Sequence, residues 1–347
     1  MAQDDGLTYR TSGVDIDAQD KALAGVKALA RTTFTPGVLS DIGLFGGLFA
    51  LDPQDPAGPV LVASADGVGT KLKVAQMAGR CDTVGQDLVN HCVNDILVQG
   101  ARPLFFLDYF AAGRLVPETL VEVVRGLSAA CRENGCALLG GETAEMPGLY
   151  SGEDFDLAGF IVGAVPRDRL LPRGVRAGDV LVGLPSTGLH TNGYSLVRRL
   201  LFEEKKLDVG TRLEEVGATV GETLLAVHRS YLRPLAPLLD GNHGVTALAH
   251  ITGGGIPDNL PRVLPDGVQA VIRIGSWEEP ALFGYIRREG RVPEEDMRRT
   301  FNLGVGLILC VRADRLDAAL AALRESGEAP FVCGELRQGP RGVVYEP

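Results

Sequence analysis

The sequence predicts a two-domain protein of mixed α and β structure. Its 347 residues, 45% of them hydrophobic, exceed what one core usually holds. Short β-branched runs alternate with helical periods through the first half. Finally, the stretch PRDRLLPRGVRAG at 166–178 is rich in Arg, Pro and Gly and interrupts every period. The predicted division is therefore 1–168, a mixed sheet-and-helix domain (α+β), and 169–347, an α/β domain.

Strands are expected at 60–65, 104–110, 137–139 and 155–165, with helices at about 85–99 and 117–134 between them. The second half opens with the strand VLVGLP, followed by a helix at 192–206, strands at 245–249, 269–274 and 304–311, and a helix at 313–326. PGVLSDIGLFGG at 36–47 mixes four glycines with apolar residues and suits a lid over a ligand. No repeat of solenoid or propeller length emerges.

A net charge of −10 without a clustered basic face excludes a nucleic-acid footprint. No apolar run is long enough to span a membrane, and the acidic start MAQDDGLTYR lacks signal-peptide features, so a cytoplasmic protein is expected. Six cysteines without a C-x-x-C pair read as reduced thiols.

Chemistry concentrates first in SADGVGTKLK, 64–73, directly after a strand. Gly67 and Gly69 free the backbone to turn its N–H groups toward phosphate oxygens, and Lys71 adds a point charge. The spacing matches neither the Walker loop nor the dinucleotide fingerprint. In the helix GQDLVNHCVNDILVQG, Val89, Cys92, Val93, Ile96 and Leu97 form an apolar stripe. The opposite stripe, Asp87, Asn90, His91, Asn94 and Asp95, uses poor helix formers where a solvated face would carry Lys and Glu, which points to ligands. Asp108 in FFLDYFAAG and Glu142, with Glu145, in GGETAEMPG are read as further acids at strand ends. Carboxylates beside a triphosphate repel it by about 4 kcal/mol per charge pair at roughly 4 Å and an effective dielectric near 20. A cation such as Mg²⁺ is therefore expected between them.

In the second half, His190, Thr191 and Asn192 of STGLHTNGYSLVRR precede a helix, and Thr252, Gly253, Gly254 and Gly255 of AHITGGGIPDNLPRVLP precede another. Such backbone N–H clusters suit a substrate phosphate. His190 and His250 are candidates for moving protons.

Taken in order, SADGVGTKLK, DLVNHCVNDILVQGARPLFFLDYFAAG, GGETAEMPGLYSGEDFDLAGF, STGLHTNGYSLVRR and AHITGGGIPDNLPRVLP resemble the phosphoribosylformylglycinamidine cyclo-ligase family, also called aminoimidazole ribonucleotide synthetases. The resemblance runs from YRTSGVDIDA to FNLGVGLIL. It implies ATP-dependent closure of formylglycinamidine ribonucleotide to aminoimidazole ribonucleotide, with ADP and phosphate released, in purine synthesis. It also implies a homodimer whose N-terminal domains share a barrel, with no nucleic-acid or membrane partner. By the same similarity Asp66, Gly67, Gly69, Thr70 and Lys71 meet the nucleotide phosphates, with Asp87, Asn94, Asp95 and Asp108 nearby. Asp66, Asp95 and Glu142 are implied metal ligands for Mg²⁺, with K⁺ a further candidate cofactor. Lys71, His190 and His250 are the catalytic candidates, and Thr191, Asn192 and 252–255 join His190 at the substrate. Within the superfamily, a selenophosphate synthetase would carry a reactive Cys or selenocysteine in the glycine-rich segment, and 36–47 has neither.

Overall fold

The computed structural model of the chain describes residues 6–241 and 243–347. A first sheet holds β1 (Gly47–Ala50), β2 (Val60–Gly67), β3 (Arg102–Ala112), β4 (Ala137–Glu145) and β5 (Phe155–Val165) in the order β1-β2-β5-β3-β4. Its neighbours run antiparallel except β3 and β4. After the segment 166–179, a second sheet begins with β6 (Val180–Pro185). A short hairpin follows, β7 (Arg212–Leu213) with β8 (Ala218–Thr219), and then β9 (Val245–His250), β10 (Val268–Arg273), β11 (Val305–Val311), β12 (Phe331–Gln338) and β13 (Gly342–Glu346). The order of the second sheet is β13-β10-β12-β6-β11-β9, and β10 pairs with β13 in parallel while the rest are antiparallel.

That antiparallel sheet corrects the expected α/β class of the second half to α+β. The reason lies in strands such as β11, VGLILCV, which is buried at every position. A continuous apolar run reads like a parallel strand. Here it belongs to an antiparallel strand flanked by β6 and β9 and shielded from solvent on both faces.

The helices are α1 (Ile16–Arg31), α2 (Lys71–Ala78), α3 (Asp82–Leu97), α4 (Pro117–Glu133), α5 (Tyr194–Arg198), α6 (Val220–Leu224), α7 (Leu232–Asp240), α8 (Gly255–Asn259), α9 (Ala281–Glu289), α10 (Glu294–Thr300) and α11 (Leu316–Glu325). None of the described helices is long and apolar enough to cross a membrane. The helix expected at 192–206 is α5 continued by a π-helical turn over Arg199–Glu204. Sequence periodicity missed α1, α2, α6, α7, α9 and α10 and the strands β1, β7, β8, β12 and β13.

α3 packs on β2, β3 and β5, and α4 packs on α3. Along β5 the residues Phe155, Leu157, Ile161 and Val165 alternate onto this covered side. The crossing of α3 and α4 depends on glycine. A Cβ at Gly126 would lie 1.9 Å from the Asp82 carbonyl oxygen, and one at Gly85 would lie 2.3 Å from that of Val123.

The other side of the first sheet is open. Phe160 stands opposite Leu107, so the two share that face, and Phe49 joins them across Leu61 and Ala164. All three are exposed. The expected lid at 36–47 lies against the sheet edge. Leu39 N donates to Leu48 O at 2.9 Å, Ala50 N to Gly37 O at 2.7 Å, and Gln99 Nε2 to Gly46 O at 3.1 Å. Phe45 is buried beneath it, with the Arg262 guanidinium 5.0 Å over its ring.

Replacing Gly126 by Val is expected to destabilise the fold by about 1–3 kcal/mol through forced separation of α3 and α4. Urea unfolding against the parent protein measures it.

Candidate functional site

Asp66 stands one residue before the end of β2, and its Oδ1 accepts the Gly67 N–H at 2.7 Å. Gly69 follows with φ +69°, a left-handed turn that starts α2 at Lys71. Thr70 Oγ1 lies 3.3 Å from Ser195 Oγ, across the two sheets' territories.

The Lys71 side chain does not reach outward from this loop. It is wholly buried, with Nζ 2.7 Å from Asp87 Oδ2, 2.8 Å from Ala226 O and 3.4 Å from His190 O. Burial pushes the Lys71 ammonium down and the Asp87 carboxyl up, while their mutual attraction opposes both. Asp87 Oδ1 also accepts the His228 N–H at 2.7 Å. Asn94 makes the same kind of connection, with Nδ2 donating to Arg229 O at 2.9 Å and Oδ1 accepting from Tyr231 N at 2.9 Å. The polar stripe of α3 thus divides. Asp87, Asn90 and Asn94 hold the loop at 228–231, whereas His91 and Asp95 face a cavity.

That cavity, about 330 Å³, lies between the two halves of the chain. One wall is Asp66, His91, Asp95 and Phe45; the other is Asn192, Thr252, Gly253, Gly254 and Arg262. Gly254 has φ +90° and Gly255 +59°. A Cβ at Gly255 would also strike Arg298 O at 1.9 Å, so its glycine is a packing requirement as well as a turn. Buried Asn259 staples this loop, its Nδ2 donating to Gly255 O at 2.8 Å and Gly253 O at 3.1 Å. A larger cavity of about 690 Å³ is lined by Arg102, Arg169, Arg173, Arg176, Arg312 and Arg315, and no candidate residue from the sequence reaches it.

Four of the chain's five histidines meet at the acidic wall, His91 in it and the other three behind it. His91 Nε2 is 2.7 Å from Asp66 Oδ2 and 3.9 Å from Asp95 Oδ2, and its Nδ1 is 2.9 Å from Thr191 Oγ1. His250 Nδ1 is 2.8 Å from Asp95 Oδ1, and its Nε2 is 3.0 Å from His228 Nε2. His228 stacks on His190 at 3.9 Å and 16°. His190 adopts φ +58°, a strained value for a non-glycine residue, and its Nε2 accepts the Thr187 N–H at 3.1 Å. Burial drives His190 and His228 well below the ordinary imidazole range and lowers His250 despite Asp95. For His91 the same burial is overcome by Asp66, Asp95 and Asp87, which raise it to about 9. Asp66 is correspondingly lowered, as His91 outweighs the burial that opposes it.

This geometry separates the expected site residues. Lys71, His190 and His250 are buried behind the pocket wall, and His91 is the imidazole that lines it. Asp108 is in mid-strand, not at a strand end. It shares a cross-strand row with Asp66, but Gly159 of β5 lies between them, with Leu88 and Phe106 packed against it. Glu142 is exposed on β4 opposite Tyr109, on the open face of the sheet, away from Asp66 and Asp95. Gly67, Gly69, Thr70, Thr191 and Gly255 shape the site without lining the cavity. His228 escaped sequence reasoning because no motif marks AVHRSY; Arg262 lies at the end of AHITGGGIPDNLPRVLP, where only the glycine loop carried a chemical signal, and His91 was visible in the polar stripe.

Residues 49–165 match the family model described as AIR synthase related protein, N-terminal domain, and 176–346 match the corresponding C-terminal domain. A phosphoribosylformylglycinamidine cyclo-ligase of Sorangium cellulosum (strain So ce56) is 52% identical over 332 residues, 95% of each chain. Another of that name, from Alkaliphilus metalliredigens (strain QYMF), is 45% identical over 339 residues, 97% of each. Among solved structures, AaThiL complexed with AMPPCP and TMP superposes with a TM-score of 0.63 at 14% identity, covering 92% of this chain and 91% of that one, which shows the shared fold.

Below the ordinary histidine value of about 6.5, the unfolded chain binds protons that folded His190 and His228 refuse, so stability falls as pH drops. His91 acts oppositely: its contribution is full below about 6.5 and is lost as pH rises through about 9. Urea unfolding at a series of pH values is expected to show both limbs, and His228→Gln to flatten the acid limb by up to about 1.4 kcal/mol per pH unit.

Proposed function

Because the chain belongs to the phosphoribosylformylglycinamidine cyclo-ligase (AIR synthase) family of purine biosynthesis, we propose that the cavity between its two halves binds ATP and formylglycinamidine ribonucleotide and closes the imidazole ring. The observation that carries this reading is the meeting, in one cavity, of an acid and imidazole wall with a glycine loop and a guanidinium.

An amide oxygen is a poor leaving group. Transfer of the ATP γ-phosphoryl to it leaves ADP and creates a phosphate leaving group on the carbon; attack by the amidine nitrogen then closes the ring and expels phosphate. Little covalent chemistry falls to the protein in such transfers, where positioning and electrostatics do most of the catalysis. The bare backbone at Thr252–Gly254 and the Arg262 guanidinium, held by the Phe45 ring, are suited to the ribose phosphate. His91, paired with Asp66, is the imidazole placed to move a proton at the cavity surface.

Asp66 and Asp95 fit a divalent cation as oxygen donors on one wall of the cavity, whereas Glu142 does not join them. Bound there, Mg²⁺ would neutralise phosphate charge. In this reading Lys71 fixes the two halves against each other from within the interface.

The open face carrying Phe49, Leu107 and Phe160 supports a homodimer, since a sheet face this apolar is normally covered. Light scattering of the parent protein and of Phe160→Asp is expected to give a dimer and a monomer respectively.

Activity tests the reading directly. With Mg²⁺, ADP and aminoimidazole ribonucleotide are expected to appear in equal amounts and only when formylglycinamidine ribonucleotide is present. Asp66→Asn is expected to lower kcat by roughly 10²-fold or more. Arg262→Ala is expected to act mainly on the KM of the ribonucleotide. ATP binding without either product would sink the assignment.

A further inference from the structure

We propose that the arginine-lined cavity of about 690 Å³ binds a linear polyphosphate, of the kind carried by nucleoside di- and triphosphates. The inference goes beyond the ligase reading and does not depend on it. This cavity shares no lining residue with the one bounded by Asp66 and the glycine loop. The two lie at opposite ends of β9, which starts at Val245 on this cavity and ends at His250 behind the other.

Three stretches far apart in sequence supply the cations. Arg102 begins β3, Arg169, Arg173 and Arg176 come from the segment between the two sheets, and Arg312 and Arg315 follow β11. The Arg-, Pro- and Gly-rich composition of 166–178 thus has a spatial counterpart. Its backbone is fastened in place. Buried Leu171 donates its N–H to Gln99 O at 3.2 Å, and Arg173 donates its own to Thr246 O at 2.8 Å. Gly174, at φ +64°, turns the chain, and its carbonyl accepts from Arg312 Nη2 at 2.6 Å.

The positive charge is only partly answered. Asp240 accepts from Arg102 Nη2 at 3.0 Å and from Arg169 Nη1 at 3.2 Å, so one carboxylate holds two guanidiniums side by side. Asp179, buried behind the wall, accepts from Arg312 Nη1 at 3.1 Å. Arg173 Nη1 reaches a carbonyl, that of Asp168. Among the described residues, the Arg176 and Arg315 side chains have no hydrogen-bond or ion-pair partner. Six guanidiniums therefore line the cavity with two carboxylates, Asp240 and Asp314, in a chain whose net charge is −10. Like charges gathered in a concave site repel one another and focus their field, and a bound anion relieves both.

The residue type selects the anion. Guanidinium forks pair bidentately with phosphate oxygens. A single phosphate has too few oxygens for so many forks, whereas a chain of two or three phosphates can meet several at once. Leu171, Leu239 and Val245 add an apolar side suited to a base or sugar, and the volume lies within the range of about 300–1,000 Å³ common for small-ligand sites.

The test is calorimetric titration of the full chain with tripolyphosphate, ATP and orthophosphate in EDTA at low salt. Without a divalent cation the carboxylates at Asp66 and Asp95 repel polyphosphate, so the titration reports this cavity. Tripolyphosphate and ATP are expected to bind one per chain, tenfold or more tighter than orthophosphate, and to weaken as salt rises. The double variant Arg176→Ala/Arg315→Ala is expected to weaken both by roughly tenfold or more. Asp314→Asn is expected to tighten both, a gain that misfolding does not produce, and Arg262→Ala in the other cavity to change neither. Either order of ATP and tripolyphosphate supports the site, and the tighter one names the source of the phosphate chain. No binding in EDTA, orthophosphate binding equally well, or a double variant that binds like the parent overturns the proposal. If the double variant does not fold, Asp314→Asn decides it, and unchanged or weaker binding there overturns it. Failure of the ligase assay leaves these readouts unaffected, so the two readings fail separately.

Discussion

The buried pair of Lys71 and Asp87 is the contact on which the site's geometry rests. Removing one partner of such a pair typically costs about 3–5 kcal/mol, because the other charge is left stranded. Here the loss would also be spatial. Lys71 starts α2 directly after the glycine turn, Asp87 lies on α3, and the ammonium also reaches the carbonyls of His190 and Ala226. One side chain therefore ties the glycine loop of the first half to two loops of the second. A well-packed apolar pair could be as stable, but it would not impose a single register on the two halves.

From that contact the α3 helix takes its composition. A helix packed against an irregular loop must present polar partners to backbone groups that no regular element satisfies. Asn90, Asn94 and Asp87 do so for the segment at 228–231, where the chain passes from α6 to α7. Once these three hold the loop, His91 and Asp95 on the same stripe are carried to the cavity wall, and His228 is brought against His250. Interface and candidate site are thus one polar network, in which the outer members contact the cavity and the inner ones fix the spacing.

Charge within the network is graded by exposure and pairing. His91, between carboxylates, favours the imidazolium, whereas His190 and His228, surrounded by one another and by the Lys71 ammonium, favour neutral rings. Neutral imidazoles accept hydrogen bonds and bind metals; a charged one steadies anions. Histidines of a single cluster are separated in this way into different chemical states by burial and by which acids they face.

The sequence by itself determined the elements with strong periods and the acids and glycine loops at which function was sought. α3 and β5 were legible because their side-chain pattern is local, and Asp66, Asp95, Asn192 and Thr252–Gly254 because loop chemistry is local too. The family followed from long ordered motifs. Only the tertiary structure decided which candidates meet. Strand register set Glu142 on the open face and put β5 between Asp108 and Asp66. Burial turned Lys71 inward, and packing brought in His228 from a stretch without a motif and Arg262 from beyond the glycine loop. The antiparallel course of the second sheet was equally hidden, because a strand buried on both faces shows the same apolar run whichever way its neighbours point. Periodicity reports which way a side chain faces along its own element; what it faces depends on residues more than a hundred positions away.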